Sequence, residues 1–492
     1  MWLDVLSQVL EPMNLLIVIA GTLLGIVAGA MPGLTATLSI ALILPFTFVL
    51  TPVQGFALIL GVYVGANTGG SITALLINVP GTPAAVMTGI EGNTLVKQGK
   101  TGLAFGILTT SSFIGGVVSA ILLIFVAPIL GSFAIKLGPP EYFAIGILAL
   151  CLVSGLLSNN VMKGLIAAAI GLTVTLIGSD PITGAKRFTF NSTELISGIE
   201  LVPILVGLFG FKEVLVQLKG TEIKINSVKQ LSNKIIMPFK EFKQIFSSII
   251  RGIAIGSWIG FLPGAGAPVA SFMSYDSTKR VNYKEKFGEG NIKGLAAVES
   301  ANNATTGTTL IPLLTLGIPG DGATAVMLGA FTMQNIIPGP TIFTENPDLV
   351  GSMYINLIIA NIVMAITILI ATKHFMKILK IPTNALMTVV ALLCIIGSFA
   401  TRGSLFDVGV MLSAGIAGYF LEKRGFPIIP LILGVILGPI ILPKFRTGLA
   451  MDPSGLIFFT RPVSLIAFIL AAAILFWPLI KKVFIKQEGD AT

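Results

Sequence analysis

Residues Gly25-Ile26-Val27-Ala28-Gly29-Ala30-Met31-Pro32-Gly33 decide the reading of this chain, because they recur in pattern as Gly256-Ser257-Trp258-Ile259-Gly260-Phe261-Leu262-Pro263-Gly264. Each copy is Gly-x-x-x-Gly-x-x-Pro-Gly inside an apolar run. Proline has no N–H and glycine weakens a helix, so a helix entering either copy is expected to stop there. A second element follows in both places. Ala74-Leu75-Leu76 leads to Pro80-Gly81 and Val86-Met87, and Pro312-Leu313-Leu314 leads to Pro319-Gly320 and Val326-Met327. Two elements in the same order predict two related halves.

The surroundings say what solvent these halves meet. Of 492 residues 54% are hydrophobic and 11% charged, and mean hydropathy is +0.94. A soluble chain is about one quarter charged, so the expected environment is a bilayer. The net charge of +9 does not indicate nucleic acid, because the basic residues sit in short loops between apolar runs and there set topology. Cys151 and Cys394 lie inside apolar runs and suggest neither disulfide nor metal site. His374 is the single histidine and reads as an interface residue, which excludes histidine-based catalysis and zinc sites. The first Lys or Arg is Lys97, so no cleaved signal peptide is expected.

Loop charge orients the halves. Residues 1–13 carry no base, whereas Lys219, Lys224, Lys229, Lys234, Lys240 and Lys243 precede the second copy. Between the paired elements the first half has uncharged Thr51–Gly55, and the second has Lys279, Arg280, Lys284, Lys286 and Lys293. After them the bias reverses, with Lys97 and Lys100 against Glu345 and Asp348. Equivalent loops of opposite bias predict opposite orientations. The expectation is an all-α polytopic membrane protein of two inverted-topology repeats, with Pro-Gly-broken helices that re-enter or are discontinuous, and about 11–13 membrane segments. The first repeat spans 1–218, a basic cytoplasmic linker 219–247, the second repeat 248–443, and a C-terminal membrane helix with its tail 444–492.

Full crossings are expected near 102–127, 141–157, 161–178, 197–218, 350–371, 383–400, 405–421 and 428–443, with a last helix near 463–480. This arrangement puts the N-terminus outside and the C-terminus in the cytoplasm. Lys136, Lys186, Arg187, Lys444, Arg446 and Arg461 fall on the outer side against the bias.

In lipid, backbone groups freed at a break cost several kcal/mol unless protein or a polar cavity satisfies them. The starts of half-helices attract anions, and ending carbonyls can hold a cation. Pro32, Gly33, Pro80, Gly81, Pro263, Gly264, Pro319 and Gly320 are therefore candidates for holding anionic substrate groups. Gly69, Gly70, Ser71, Thr73, Asn78, Thr82, Thr306 and Thr308 crowd around the breaks and are candidates for lining the same site. Glu299, Asn302, Asn303 and Asp321 offer oxygens to a hard cation or a proton, with Glu299 first among them. The alternatives are that Gly25/Gly29 and Gly256/Gly260 serve helix packing and that Asp321 caps a helix.

These residues also carry a resemblance. Gly25-x-x-x-Gly29-x-x-Pro32-Gly33-Leu34 with Leu44-Pro45-Phe46-Thr47-Phe48, then Gly69-Gly70-Ser71-Ile72-Thr73-Ala74 and Asn78-x-Pro80-Gly81-Thr82-Pro83, resemble the large membrane subunit of tripartite tricarboxylate transporters. Phe287-Gly288-Glu289-Gly290, Glu299-Ser300-Ala301-Asn302-Asn303-Ala304 and Leu314-Thr315-Leu316-Gly317-Ile318-Pro319-Gly320 match in order in the second half. Departures from the family pattern are Asn67-Thr68, Val298 and Asp321. The resemblance implies secondary uptake of di- or tricarboxylates across a bacterial or archaeal cytoplasmic membrane, driven by Na⁺ or H⁺ without another cofactor. It also implies two partners, a small membrane subunit and an extracytoplasmic solute-binding protein. A carrier of another solute that needs no binding protein, and an intramembrane enzyme, are the alternatives.

Overall fold

The computed structural model describes residues 2–157, 160–218, 235, 237–378 and 382–489, without side chains for 156–157, 372–378, 383 and 477–489. Lys219, Lys224, Lys229 and Lys234 of the expected linker lie outside the described residues, as does the side chain of His374.

Local sequence chemistry sets the helix ends. After α1 (Trp2–Val9), α2 (Pro12–Gly29) stops just before Pro32-Gly33. Thr35 then caps α3 (Ala36–Ile43) by accepting from Leu38 N. Thr51 and Gln54 form a capping box on α4 (Pro52–Ile77), with proline in the first turn where its missing N–H costs nothing. α4 ends on left-handed Asn78, and the chain turns through Pro80-Gly81 into α5 (Val86–Lys97). There follow α6 (Thr101–Ala134), α7 (Pro139–Leu157), α8 (Val161–Val174) and a two-residue antiparallel pair, β1 (Gly178–Ser179) with β2 (Lys186–Arg187). A helical stretch of α9 (Leu201–Leu205), a π turn at Val206–Phe211 and α10 (Lys212–Gln217) completes this half of the chain.

The second half repeats the plan. α11 (Phe239–Phe261) stops before Pro263-Gly264, and α12 (Gly266–Val281) leads to α13 (Ile292–Thr308), continued by α14 (Leu310–Leu316). Gly317 ends that run in the left-handed conformation. Asp321, after Pro319-Gly320, caps α15 (Gly322–Met333). All four Pro-Gly pairs thus lie in breaks between helices. α16 (Ile342–Glu345), α17 (Pro347–Ile378), α18 (Thr383–Arg402), α19 (Leu405–Lys423), α20 (Ile428–Met451), α21 (Ile457–Thr460) and α22 (Pro462–Gly489) follow. Among the described residues, eight helices are long and apolar enough to cross a membrane, and further apolar helices are shorter. The protein is an all-α multi-pass membrane protein.

The two halves match in detail. A β-carbon on Gly25 or Gly29 of α2 would strike the backbone of Val62 or Ala66 on α4, and one on Gly256 or Gly260 of α11 would crowd Ala301 or Thr305 and Thr308 on α13. These glycines let paired helices touch backbone to backbone, the packing role expected of small residues. Val62 and Ala66 correspond to Ala301 and Thr305 at one constant sequence offset. The same offset pairs the two left-handed helix ends, Asn78 with Gly317, and the two residues that start the next helix, Thr82 with Asp321.

The chain forms two compact units, Met1–Ser132 with Val202–Ile416, and Phe133–Leu201 with Ala417–Thr492. In the first, α4 is the central element, buried almost throughout from Val53 to Leu76. In the second, Gly171 of α8 and Gly434 of α20 admit each other's backbones, and Phe143 packs on Phe445 and Phe458 at 4.8 and 5.2 Å between ring centres. The residues that break the loop-charge bias all lie in this second unit. Arg187 and Arg446 both pair with Asp180, and Arg461 meets Glu141 at 3.1 Å. Lys136 and Lys444 sit over the rings of Phe133 and Tyr142. Local partners account for five of the six exceptions.

Asp180 also accepts from Ile182 N at 2.8 Å and Thr183 N at 3.2 Å. These backbone donors, followed by Arg446 and Arg187, hold its carboxyl at about 2, below the usual aspartate value. A depressed pKa stabilises the fold above the unfolded value of about 3.9. That contribution disappears as pH falls toward 2. Asp180→Asn is therefore expected to lower the melting temperature of the purified protein at pH 7. The gap from wild type should begin to shrink below about pH 4 and close near pH 2; an equal gap at pH 7 and near pH 2 would refute the ionic role.

Candidate functional site

α13 carries most of the candidate residues, and its composition is unusual for its position. From Gly294 to Thr308 every residue is buried, yet the run contains a carboxylate, two adjacent asparagines and four hydroxyls, those of Ser300, Thr305, Thr306 and Thr308. A helix buried on all sides inside a membrane protein is ordinarily apolar, because each polar group must find a partner. The partners here come largely from the first half of the chain, all within the first compact unit.

Glu299 is fully buried. Its Oε1 accepts from Thr88 Oγ1 of α5 and its Oε2 from Ser112 Oγ of α6 at 3.0 Å. Ser71 of α4 adjoins the same carboxyl, its hydroxyl lacking a partner of hydrogen-bond geometry. One turn further along α13, Asn303 Oδ1 accepts from Thr68 Oγ1 at 2.9 Å. Asn302 Nδ2 reaches the Asn67 carbonyl at 3.5 Å. The face of α4 made by Asn67, Thr68 and Ser71 therefore lies against the Glu299–Asn303 segment of α13.

Several groups in this layer remain unpaired: Asn67 Nδ2, Ser71 Oγ, Thr82 Oγ1 and Asn302 Oδ1. They are contiguous, since Asn67 meets Asn302 and Thr82 presses on Gly70, next to Ser71. An unsatisfied buried polar atom costs about 1–3 kcal/mol. Such a layer gains by taking up water, an ion or a polar ligand. Its hydroxyl, amide and carboxylate oxygens suit a hard cation or a proton more than a soft metal.

A second cluster lies at the Pro319-Gly320 break. Tyr63 Oη of α4 donates to Asp321 Oδ2 at 2.7 Å and lies 3.0 Å from Thr309 Oγ1. Asp321 Oδ1 accepts from Thr324 N at 2.8 Å in a capping box. Asp321 is thus a helix cap and a partner of the first half at once. Gly266, just after Pro263-Gly264, lies so close that its β-carbon would be 2.9 Å from Asp321 Cβ, which joins the two breaks of the second half.

In each half the later break packs on the helix that ends at the earlier one. A β-carbon on Gly81 would fall on the Gly29 carbonyl and 2.9 Å from Gly70 Cα; one on Gly320 would lie 2.8 Å from the Gly260 carbonyl and from Thr309 Cα. Gly81 N donates to Gly70 O at 3.1 Å. Gly69 in turn admits the backbone of Ile26. After Pro32-Gly33, Gly33 packs against the Gln217 side chain of α10, and Thr37 in the first turn of α3 lies against Gly322 at the start of α15.

Other candidates have local duties. Thr73 donates to Gly70 O at 3.0 Å, Thr306 to Asn303 O at 2.7 Å and Thr308 to Ala304 O at 2.8 Å. Their protons are committed to their own helices and only lone pairs remain available. Asn78 ends α4 and its Oδ1 lies against Gly89.

Thr68, Thr88, Ser112 and Tyr63 belong to these clusters and were not among the candidates by sequence. Thr68 had stood out only as part of the Asn67-Thr68 departure from the family pattern, and nothing local marks Tyr63, Thr88 or Ser112 as partners of α13 or of the second break.

A model of the tripartite tricarboxylate transporter TctA family matches residues 15–433. An uncharacterized 52.8 kDa protein of the TAR-I ttuC′ 3′ region of Agrobacterium vitis is 37% identical over 488 residues, covering 97% of each chain. An uncharacterized protein of the TAR-II ttuC′ 3′ region of the same organism is 37% identical over 211 residues, 42% of this chain and 87% of its own. No solved structure matches. With a family match over most of its length and a full-length relative at this identity, the chain belongs to the tripartite tricarboxylate transporter TctA family.

Proposed function

We propose that this transporter subunit takes up di- or tricarboxylates into the cytoplasm, coupled to Na⁺ or H⁺, with substrate delivered by an extracytoplasmic binding protein and a small membrane subunit beside it. The observation that carries the reading is the buried Glu299 carboxyl in a layer of unpaired amides and hydroxyls contributed by both halves. Glu299, Asn302 and Asn303 supply oxygens for the coupling cation or, at Glu299, a proton site. Asp321, in the second cluster, offers a further carboxyl at the Pro319-Gly320 break. Substrate carboxylates are held by half-helix starts at Pro80-Gly81 and Pro319-Gly320, with Pro32-Gly33 and Pro263-Gly264 as their counterparts, because N–H groups and the helix dipole favour anions there.

The repeats 1–218 and 248–443 are read as inverted, with residues 219–247 and the C-terminus cytoplasmic and the N-terminus outside. Opposite loop charge and the matched glycine contacts of the halves support this. The test is uptake of labelled citrate into proteoliposomes containing the chain and its partner subunits. Accumulation should require an inward Na⁺ or H⁺ gradient and stop when that gradient is collapsed. Equal accumulation with both gradients absent would sink the coupling reading.

A further inference from the structure

Glu91, on the Pro80-Gly81 side of the first half, takes no part in the polar layer, yet it is the most heavily bonded carboxyl in the first unit among the described residues. It is fully buried on α5. Its Oε1 accepts from Tyr275 Oη at 2.7 Å and from Gly288 N at 2.6 Å, and its Oε2 from Gly290 N at 2.9 Å and Asn291 N at 2.7 Å. Three backbone N–H groups converge because Gly288 and Gly290 have φ of +88° and +92°. This folds Phe287–Asn291 into an anion-holding nest. Asn291 is also the cap of α13, so the carboxylate sits at the positive end of that helix dipole.

Thr88 lies three residues before Glu91 on the same face of α5, and it is Thr88 that donates to Glu299. One face of α5 therefore grips α13 twice, at its N-terminus through Glu91 and at its central carboxyl through Thr88. Gln98 adds a contact at the end of α5, donating to Glu289 O at 2.8 Å.

We propose that Glu91 is a positioning residue that fixes α5 on the start of α13, keeps Thr88 on Glu299, and makes α5 and the 287–291 turn move as one body through transport. The effect on coupling rests on the reading of Glu299 given above; the anchoring itself does not.

Glu91→Gln places an amide N–H₂ among donors and should release the nest. Amide hydrogen exchange at residues 288–293 is expected to rise about tenfold or more, with the rest of the chain protected as in wild type; unchanged exchange would overturn the anchor. In citrate uptake, Glu91→Gln should weaken apparent affinity for the driving cation about tenfold. Thr88→Val should add less than about twofold in that background, because both act through one bond. Additive effects, or faster exchange with unaltered cation affinity, would refute the positioning role. Finally, Gln98→Cys and Glu289→Cys, both exposed positions, joined by a short bis-maleimide, should leave uptake within about twofold of the single-cysteine proteins, a change under 0.5 kcal/mol. Arrest by the cross-link would show that the contact opens. If Glu299→Gln proves without effect, the coupling reading fails while the exchange measurement still decides the anchor.

Discussion

Glu299→Gln is expected to lower gradient-driven uptake of citrate by about 10- to 100-fold while leaving a folded protein. The two oxygens of Glu299 accept from different helices, Thr88 on α5 and Ser112 on α6. Glutamine can keep one of these bonds, but its N–H₂ must face the other hydroxyl, and it offers neither negative charge to a cation nor a titrating proton. Loss of one hydrogen bond to a charged group costs about 1.5–3 kcal/mol, equivalent to that range in an equilibrium constant. Steady-state uptake should fall most at low driving-ion concentration. Substrate counterflow, which needs no net coupling, should be less affected. Normal uptake kinetics in the variant would remove Glu299 from the coupling site, and loss of a monodisperse chromatographic peak would instead assign it a structural role.

Gly81→Val should prevent accumulation of folded protein altogether. The β-carbon at this position would lie 1.9 Å from the Gly29 carbonyl oxygen and 2.9 Å from Gly70 Cα. Both obstacles are backbone, so no side-chain rotation relieves them. Overpacking by methyl groups against side chains already costs about 1–3 kcal/mol; here two helices and a break would have to separate, undoing the contact that places Ser71 and Asn67. Gly320→Val should fail for the same reason, against the Gly260 carbonyl and Thr309. Gly409→Ala in α19, where nothing lies within 4 Å of the added carbon, should be neutral or stabilising by about 0.5–1 kcal/mol. Recovery of the solubilised protein by size-exclusion chromatography separates these outcomes. Folded Gly81→Val at wild-type yield would mean that the break does not pack as observed.

Asp180→Asn and Glu91→Gln probe carboxylates outside the polar layer, and the contrast between them shows how differently each was announced. Asp180 lies in a loop with visible turn chemistry; of the two arginines that pair with it, Arg187 is near in sequence and Arg446 is brought to it by the fold. Glu91 stands in an unremarkable helix, and its nest is built two hundred residues later. The Phe287-Gly288-Glu289-Gly290 run pointed to a family but not to a carboxyl that would hold it.

The sequence by itself determined the membrane class, the breaks at Pro32-Gly33, Pro80-Gly81, Pro263-Gly264 and Pro319-Gly320, and the repetition of the two halves. Those depend on solvent preference, missing N–H groups and residue spacing, which are local properties. It also marked Glu299 and the Asn302-Asn303 pair, since ionised or amide side chains in an apolar run are costly wherever they end up. What only the tertiary structure decided is the company they keep. α13 is too polar to read as a membrane helix by hydropathy, yet it is buried on every side because α4, α5 and α6 bring Thr68, Thr88 and Ser112 to its polar groups. Glu91 is in the same position, satisfied by a turn remote in the chain. A hydrogen bond between residues far apart leaves no periodicity in the sequence, so burial of these groups became legible only when their partners were in place.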